Sequence, residues 1–249
     1  MQIITDGLVL KENNVGDNDR VITVLTRDLG ILRAFSVGAR KVKSKKNAST
    51  SLLAYSKFTF SGTKDKLRVE DAVPVEMFFD LRNDILKLSV AQYICELCQN
   101  LAPIDDNAEE YLRLALNTLH FLSQEDANVY LLKSIAELRL MTLSGYQPDL
   151  VACRECGCFE NDKMYFDISD ASIVCDDCID GAASSNIPID LSIVAAMRHI
   201  VFSQFSKLFS FSLTPEKSRY LSNITEKYVC DKTERGYKTL DFLHSIEIN

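Results

Sequence analysis

Two cysteine pairs of the form C-x2-C, Cys153-Arg154-Glu155-Cys156 and Cys175-Asp176-Asp177-Cys178, stand 18 residues apart in this 249-residue chain. Four sulfurs can meet on one tetrahedral metal only when two tight turns are brought face to face, and this spacing suits a four-thiolate zinc site. Gly157 follows the first pair and lets the backbone turn back sharply. A filled tetrahedron leaves no position for water, so the role expected of Zn2+ on Cys153, Cys156, Cys175 and Cys178 is structural. Three alternatives stand beside it. Disulfides belong to oxidising compartments. A thioredoxin-like redox pair belongs in a βαβ setting that neither cysteine pair has. A vestigial site would keep the cysteines without the metal. Cys158, just beyond the first knuckle, could compete for the metal, but the direction of its side chain favours a bystander.

Hydrophobic periodicity divides the rest of the chain. Strand-like runs fall at about 2–10, 20–26, 31–37, 54–61 and 67–73, separated by turn residues such as Gly16-Asp17 and Ser61-Gly62. Five short strands with a long basic third connection fit a closed barrel of the oligonucleotide-binding (OB) type. An SH3-like barrel has a similar strand count, and the pattern alone does not separate them. Beyond residue 77 the period becomes helical, over 84–101, 108–122 and 127–144, with Gly145 and Pro148 as a stop. Pro188 is expected to open another helix through about 203, and Thr214-Pro215-Glu216 a further one. The fold class is therefore α+β. The divisions are a barrel over 1–78, a helical domain in two parts (79–150 and 183–249), and the zinc module inserted at 151–182.

Charge is distributed unevenly. The formal net charge is −7, yet residues 1–80 carry 13 Lys and Arg against 10 Asp and Glu. Between Asp28 and Asp65 no acidic residue occurs, while Arg33, Arg40, Lys41, Lys43, Lys45, Lys46, Lys57 and Lys64 all fall there. Fields at the surface decay over about 8 Å at physiological salt, so such a patch acts locally. The segment Arg40–Lys46 reads as an exposed, mobile loop that either holds nucleic acid phosphates without sequence preference or is simply solvated. Strand alternation puts Phe58 and Phe60 on the core side of their strand and Tyr55 and Lys57 on the other, where a ring beside a cation could stack bases. Arg33 shares a face with Phe35, which is either part of the DNA-binding surface or a buried Phe with Arg at the rim.

Little points to catalysis. Cys95 and Cys98 lie within an amphipathic run and read as core, as does Cys230. His120, His199 and His244 have no sequence-level partners for a triad. Asp105-Asp106 or Asp176-Asp177 could bind magnesium in a zinc-containing DNA-processing enzyme, though ordinary solvation accounts for both pairs. A sequence-specific DNA-binding regulator is the other rival. Met1-Gln2-Ile3-Ile4 lacks the charge of a secretion signal, and no apolar run reaches the roughly 18 residues that span a bilayer. The expectation is a soluble, cytoplasmic, nucleoid-associated binding protein that contacts no membrane and is not an enzyme.

The order of these features resembles the RecO family of recombination mediators over essentially the whole chain. The likeness is carried by Asp19-Arg20, Leu25-Thr26-Arg27-Asp28-Leu29-Gly30, Gly38-Ala39-Arg40-Lys41, Tyr93-Ile94-Cys95-Glu96-Leu97, and the run from Leu143 to Leu150 before Cys153. The resemblance implies an OB barrel, DNA repair, homologous recombination, binding of single- and double-stranded DNA, and annealing of complementary strands. It also implies partners: RecR, in many bacteria RecF, and the acidic C-terminal tail of single-stranded DNA-binding protein. For that tail, Lys133, Arg139 and Arg198 are the candidate cations of a helical groove.

Overall fold

The computed structural model describes residues 2–63, 66–179 and 186–247. Lys64 and the last residues assigned to the zinc module, 180–182, lie outside them. In chain order the strands of the first part are β1 (Gln2–Val15), β2 (Asp19–Thr26), β3 (Gly30–Ser36), β4 (Ala54–Thr63) and β5 (Lys66–Met77), with a short helix α1 (Lys46–Ser49) between β3 and β4. They close into a barrel of order β1-β2-β3-β5-β4, in which β3 and β5 pair in parallel and every other pair is antiparallel. This order answers the barrel question in favour of the OB type. The interior is filled from alternate positions: Val9, Ile22, Val24, Phe58, Phe60 and Val69 are buried, and the Phe58 and Phe60 rings stack at 5.2 Å. A register shift after Val9 lets Leu8, Val9 and Leu10 all be buried in succession on β1.

The remaining elements are α2 (Ile85–Leu101), α3 (Glu109–Leu122), α4 (Val129–Leu143), β6 (Met164–Asp167), β7 (Ser172–Cys175), β8 (Asn186–Ile189), α5 (Leu191–Phe202), α6 (Pro215–Thr233) and α7 (Lys238–Glu247). Each expected helix except the one at Pro188 starts within two residues of its predicted place, for visible reasons. Asp84 accepts from the Leu86 and Lys87 amides at the start of α2, and Thr214 accepts from Lys217 at the start of α6, where Pro215 has no amide hydrogen to leave unpaired. Pro188 behaves differently. It lies inside β8, an edge strand of the sheet β7-β6-β8, where a missing donor is tolerated, and Asp190 caps α5 instead.

Packing divides the chain into two units, Met1–Ala127 with Tyr237–Asn249, and Asn128–Gly236. This departs from the expected split into a barrel and one interrupted helical domain. In the first unit α2 and α3 pack on β1 and β2, and α7 returns to α2. Tyr237 meets Tyr93 edge to face at 5.6 Å, and Glu96 accepts from both the amide and the hydroxyl of Thr239. The connection between α2 and α3 is laid along the barrel, with Ile31 N donating to Pro103 O at 2.9 Å. Gly30, at φ +62°, permits that approach, because a Cβ there would sit 1.9 Å from the Pro103 oxygen. In the second unit α4, α5 and α6 pack together and the β6–β8 sheet joins them, Phe166 packing edge-on against Tyr228. Among the described residues no helix is long and apolar enough to cross a membrane.

Candidate metal centre and nucleic-acid interface

The cysteine pairs converge. Sγ atoms of Cys153, Cys156, Cys175 and Cys178 all lie within 4.8 Å of one another, and Cys156 and Cys175 are 3.7 Å apart. Sulfurs about 2.3 Å from a common tetrahedral metal would be about 3.8 Å apart, so the donor set fits such an ion. Among the described residues no cysteine is in a disulfide. Two tight turns hold the cluster: Gly157 N donates to Cys153 O, Cys178 N to Cys175 O, and Gly157 takes φ +73°. The Cys175 amide donates to Cys153 Sγ. Burial pushes the Cys153 thiol up, but backbone donors from Cys156, Cys175 and Glu155 outweigh it and bring it down to about 6. Cys178 is pushed the other way by hydrogen bonding to the Cys156 and Cys175 sulfurs. For all four sulfurs to be thiolates at once, a cation must supply the counter-charge.

Cys158 stays outside the cluster, its thiol donating to Glu160 O and its carbonyl accepting from Cys153 N. Arg154 braces the first knuckle, its guanidinium reaching Asp167 at 2.9 Å, Asp170 and Ser172 in the β6–β7 hairpin. Arg198 of α5 donates to the carbonyls of Leu150, Val151 and Phe159 and lies 4.0 Å from the Phe159 ring centroid.

These contacts correct the residues expected to form a cationic rim. Arg198 is engaged in holding the knuckle, and Arg139 donates to the Ile200 and Val201 carbonyls at the end of α5. Lys133 is 1% exposed, with its ammonium 2.9 Å from both Glu137 and Glu226 and hydrogen-bonded to Ser222. A side chain so enclosed offers no charge to an incoming peptide.

On the barrel, the basic connection is docked rather than open. Gly38 N donates to Asp19, Arg40 donates to the Gly16 and Asp17 carbonyls, and the buried Arg20 ties Asn47 O and Thr50 to Glu12. Lys46 reaches Val69 O at 3.1 Å. Lys41, Lys43 and Lys45 are exposed, and among the described residues their ammonium groups have no partner. Arg33 shares its outward face with half-buried Phe35 as expected, but parallel pairing sets Phe35 beside Arg68. A cleft of about 630 Å³ results, lined by Arg33, Phe35, Lys66, Arg68, Ile104 and Asp105 among others. Arg33, Lys66 and Arg68 likewise have no carboxylate partner among the described residues. Sequence reading missed Lys66 and Arg68. Their alternation with buried Leu67 and Val69 was legible, whereas the β3–β5 pairing that brings them to Arg33 was not.

Tyr55 and Lys57 form a separate patch. Register places Ser61 of β4 beside Arg68, six residues from Tyr55, or roughly 20 Å along the strand. The Tyr55 hydroxyl is taken by Asp6, which also pairs with Arg27 at 2.8 Å, while Lys57 stands exposed. Burial first, then the Asp6 carboxylate, raises the Tyr55 pKa.

Other candidates are accounted for locally. Cys95 and Cys98 are buried, and burial pushes the Cys98 thiol up to about 12; Cys230 is half-buried. Asp176 accepts from the Tyr165 hydroxyl and Asp177 from Asn161. Among the described residues, the four cysteines are the only group of three or more His, Cys, Asp or Glu placed to hold a metal.

A family model described as Recombination protein O N terminal matches residues 1–78, and one described as Recombination protein O C terminal matches residues 82–241. The chain belongs to the RecO family. Among relatives named DNA repair protein RecO, that of Acetivibrio thermocellus is 32% identical, over 98% of this chain and 96% of its own. The protein of that name from Caldicellulosiruptor bescii is 28% identical over 98% and 99%, and that from Alkaliphilus metalliredigens 26% over 99% and 100%. The stretches that carry the RecO resemblance make contacts internal to each unit: in the first, Asp19 and Arg20 dock the basic connection, Gly30 seats the α2–α3 connection, and Glu96 receives α7. Before Cys153, Tyr146 O receives the Tyr228 hydroxyl and Leu150 O receives Arg198.

Proposed function

We propose that this RecO-family chain is a DNA repair protein that binds single- and double-stranded DNA through its barrel, pairs complementary strands, and makes or breaks no covalent bond in them. The observation that carries this reading is the set of cations on one barrel that have no carboxylate partner among the described residues, Lys41, Lys43 and Lys45 on the connection and Arg33, Lys66 and Arg68 around a cleft that includes Phe35. Each cation can displace a condensed counterion from a phosphate, and screening two strands together lowers the repulsion that opposes their pairing. Zn2+ on the four cysteines would stabilise the second unit, with no step of its own. Family membership supports partnership with RecR and RecF in loading recombinase, and contact with the acidic tail of single-stranded DNA-binding protein through a surface other than Lys133, Arg139 and Arg198. A cytoplasmic, nucleoid-associated location follows from such partners.

The test is annealing. With two labelled complementary 50-mers, magnesium and no nucleotide, the protein should raise the pairing rate several-fold and leave strand lengths unchanged. Strands cut in proportion to protein, with cutting abolished by Asp105→Asn with Asp106→Asn, would establish the enzyme reading instead.

A further inference from the structure

The basic connection between β3 and β4 is pinned at both ends. At its start Gly38 N donates to the Asp19 carboxylate at 2.7 Å, Arg40 N donates to Asn18 O, and the Arg40 guanidinium reaches the Gly16 and Asp17 carbonyls. At its end the Arg20 guanidinium, 6% exposed, donates to Asn47 O at 3.1 Å and to the Thr50 hydroxyl at 3.2 Å. Glu12 pairs with Arg20 at 3.2 Å and also accepts from the Leu52 amide at 3.0 Å. Between the clamps the chain turns on itself, Lys41 N donating to Gly38 O, Ser44 N to Lys41 O and Asn47 N to Ser44 O. Lys41, Lys43 and Lys45 project from this pinned stretch and are exposed. Two of the clamping groups are carboxylates, which by charge alone repel a phosphate backbone from the surface that carries the lysines.

We propose that Asp19, Arg20 and Glu12 are positioning residues for DNA binding: they fix the connection so that Lys41, Lys43 and Lys45 are already arranged when a strand arrives. This rests on the DNA-binding reading above and deepens it. A loose connection would have to be ordered on binding, and affinity falls in proportion to the fraction of molecules in the competent arrangement. A clamped connection is ordered on folding instead. The carboxylates therefore favour DNA binding through geometry and oppose it through charge, and geometry is the larger effect.

Two double variants separate these contributions, because Asp19 and Glu12 are only half-buried. Asp19→Ala with Glu12→Ala removes both charges and both acceptors, whereas Asp19→Asn with Glu12→Gln removes the charges and keeps an oxygen to accept from Gly38, Leu52 and Arg20. With a labelled 20-mer single strand in fluorescence anisotropy, the alanine pair should bind about tenfold more weakly than the parent. Its slope of log affinity against log salt should stay within about 0.5 of the parent's, since no cation is lost. The amide pair should bind within about twofold of the parent or more tightly. A folded alanine pair that binds as well as the parent or better, as charge alone dictates, would overturn the proposal, as would equal losses in both pairs. Hydrogen exchange on the unaltered, DNA-free protein needs no variant: the amides of Gly38, Arg40 and Leu52 should exchange at least about tenfold more slowly than in an unstructured chain. Exchange at the unstructured rate would overturn the clamp whatever the variants do. A parent protein that binds no strand, with those amides protected, would instead overturn the DNA-binding reading on which the proposal rests.

Discussion

Single residues decide whether the metal site and the cationic surface can do what is asked of them. The cysteine cluster was legible in sequence because C-x2-C spacing is a local constraint; the structure brings the four sulfurs together and turns Cys158 away toward Glu160. Charge was less legible. Lys133, Arg139 and Arg198 are cations in sequence, but whether a cation is a free charge depends on groups remote in sequence, such as the Leu150 carbonyl for Arg198, 48 residues away, the Ile200 carbonyl for Arg139, 61 away, and Glu226 for Lys133, 93 away. Zinc is the first prediction at this scale. Purified protein should carry about one zinc per chain by elemental analysis, and Cys175→Ser should lose it. Because structural zinc contributes on the order of 10 kcal/mol, the variant should also lose its cooperative melting in the second unit. Freshly prepared, unchelated protein without zinc would contradict the assignment.

Between elements, the least legible features were those set by pairing over long separations. The four-residue strands β6, β7 and β8 are too short to show a period, and Pro188 read as a helix start because the sequence does not reveal that an edge strand awaits it. The five barrel strands and the helices α2, α3 and α4 were legible because each buries a continuous face of its own, and α6 because Thr214 and Pro215 mark its start. The α4–α6 contact is held by an ionic group that the sequence shows only as an i,i+4 pair. Burial acts to lower the Lys133 pKa, but Glu137 and Glu226 outweigh it and leave it raised. Its contribution is therefore complete below the ordinary lysine pKa and is lost only as pH rises through the higher folded value. Removing the ammonium strips the fully buried Glu137, which also accepts from the Thr225 hydroxyl, of a cation 2.9 Å away. Lys133→Met should destabilise the second unit by about 3–5 kcal/mol at pH 7 in urea denaturation. The deficit should shrink as pH falls, because protonation of the stranded carboxylate removes its uncompensated charge. A loss under about 1 kcal/mol at pH 7 would show the pair to be solvated rather than enclosed.

At the scale of the molecule, a net charge of −7 coexists with a barrel whose connection and cleft carry cations with no carboxylate partner among the described residues, and the first of these facts says little about the second. The barrel was foreseeable from five strand-like runs; its OB order rests on the β3–β5 pairing, which also assembles the cleft. The central claim is that these cations hold DNA phosphates. It is tested most directly by the slope of log affinity against log salt for a 20-mer single strand, measured for the parent, for Lys41, Lys43 and Lys45 all changed to Gln, and for Arg33, Lys66 and Arg68 all changed to Gln. Each phosphate contact contributes about −0.7 to that slope, so either triple variant should be shallower by up to about 2 units, with the affinity loss largest at low salt. Arg40 and Lys46, already bonded to backbone carbonyls, should change it less when replaced. Two folded triple variants whose slopes and affinities both equal the parent's would contradict the account.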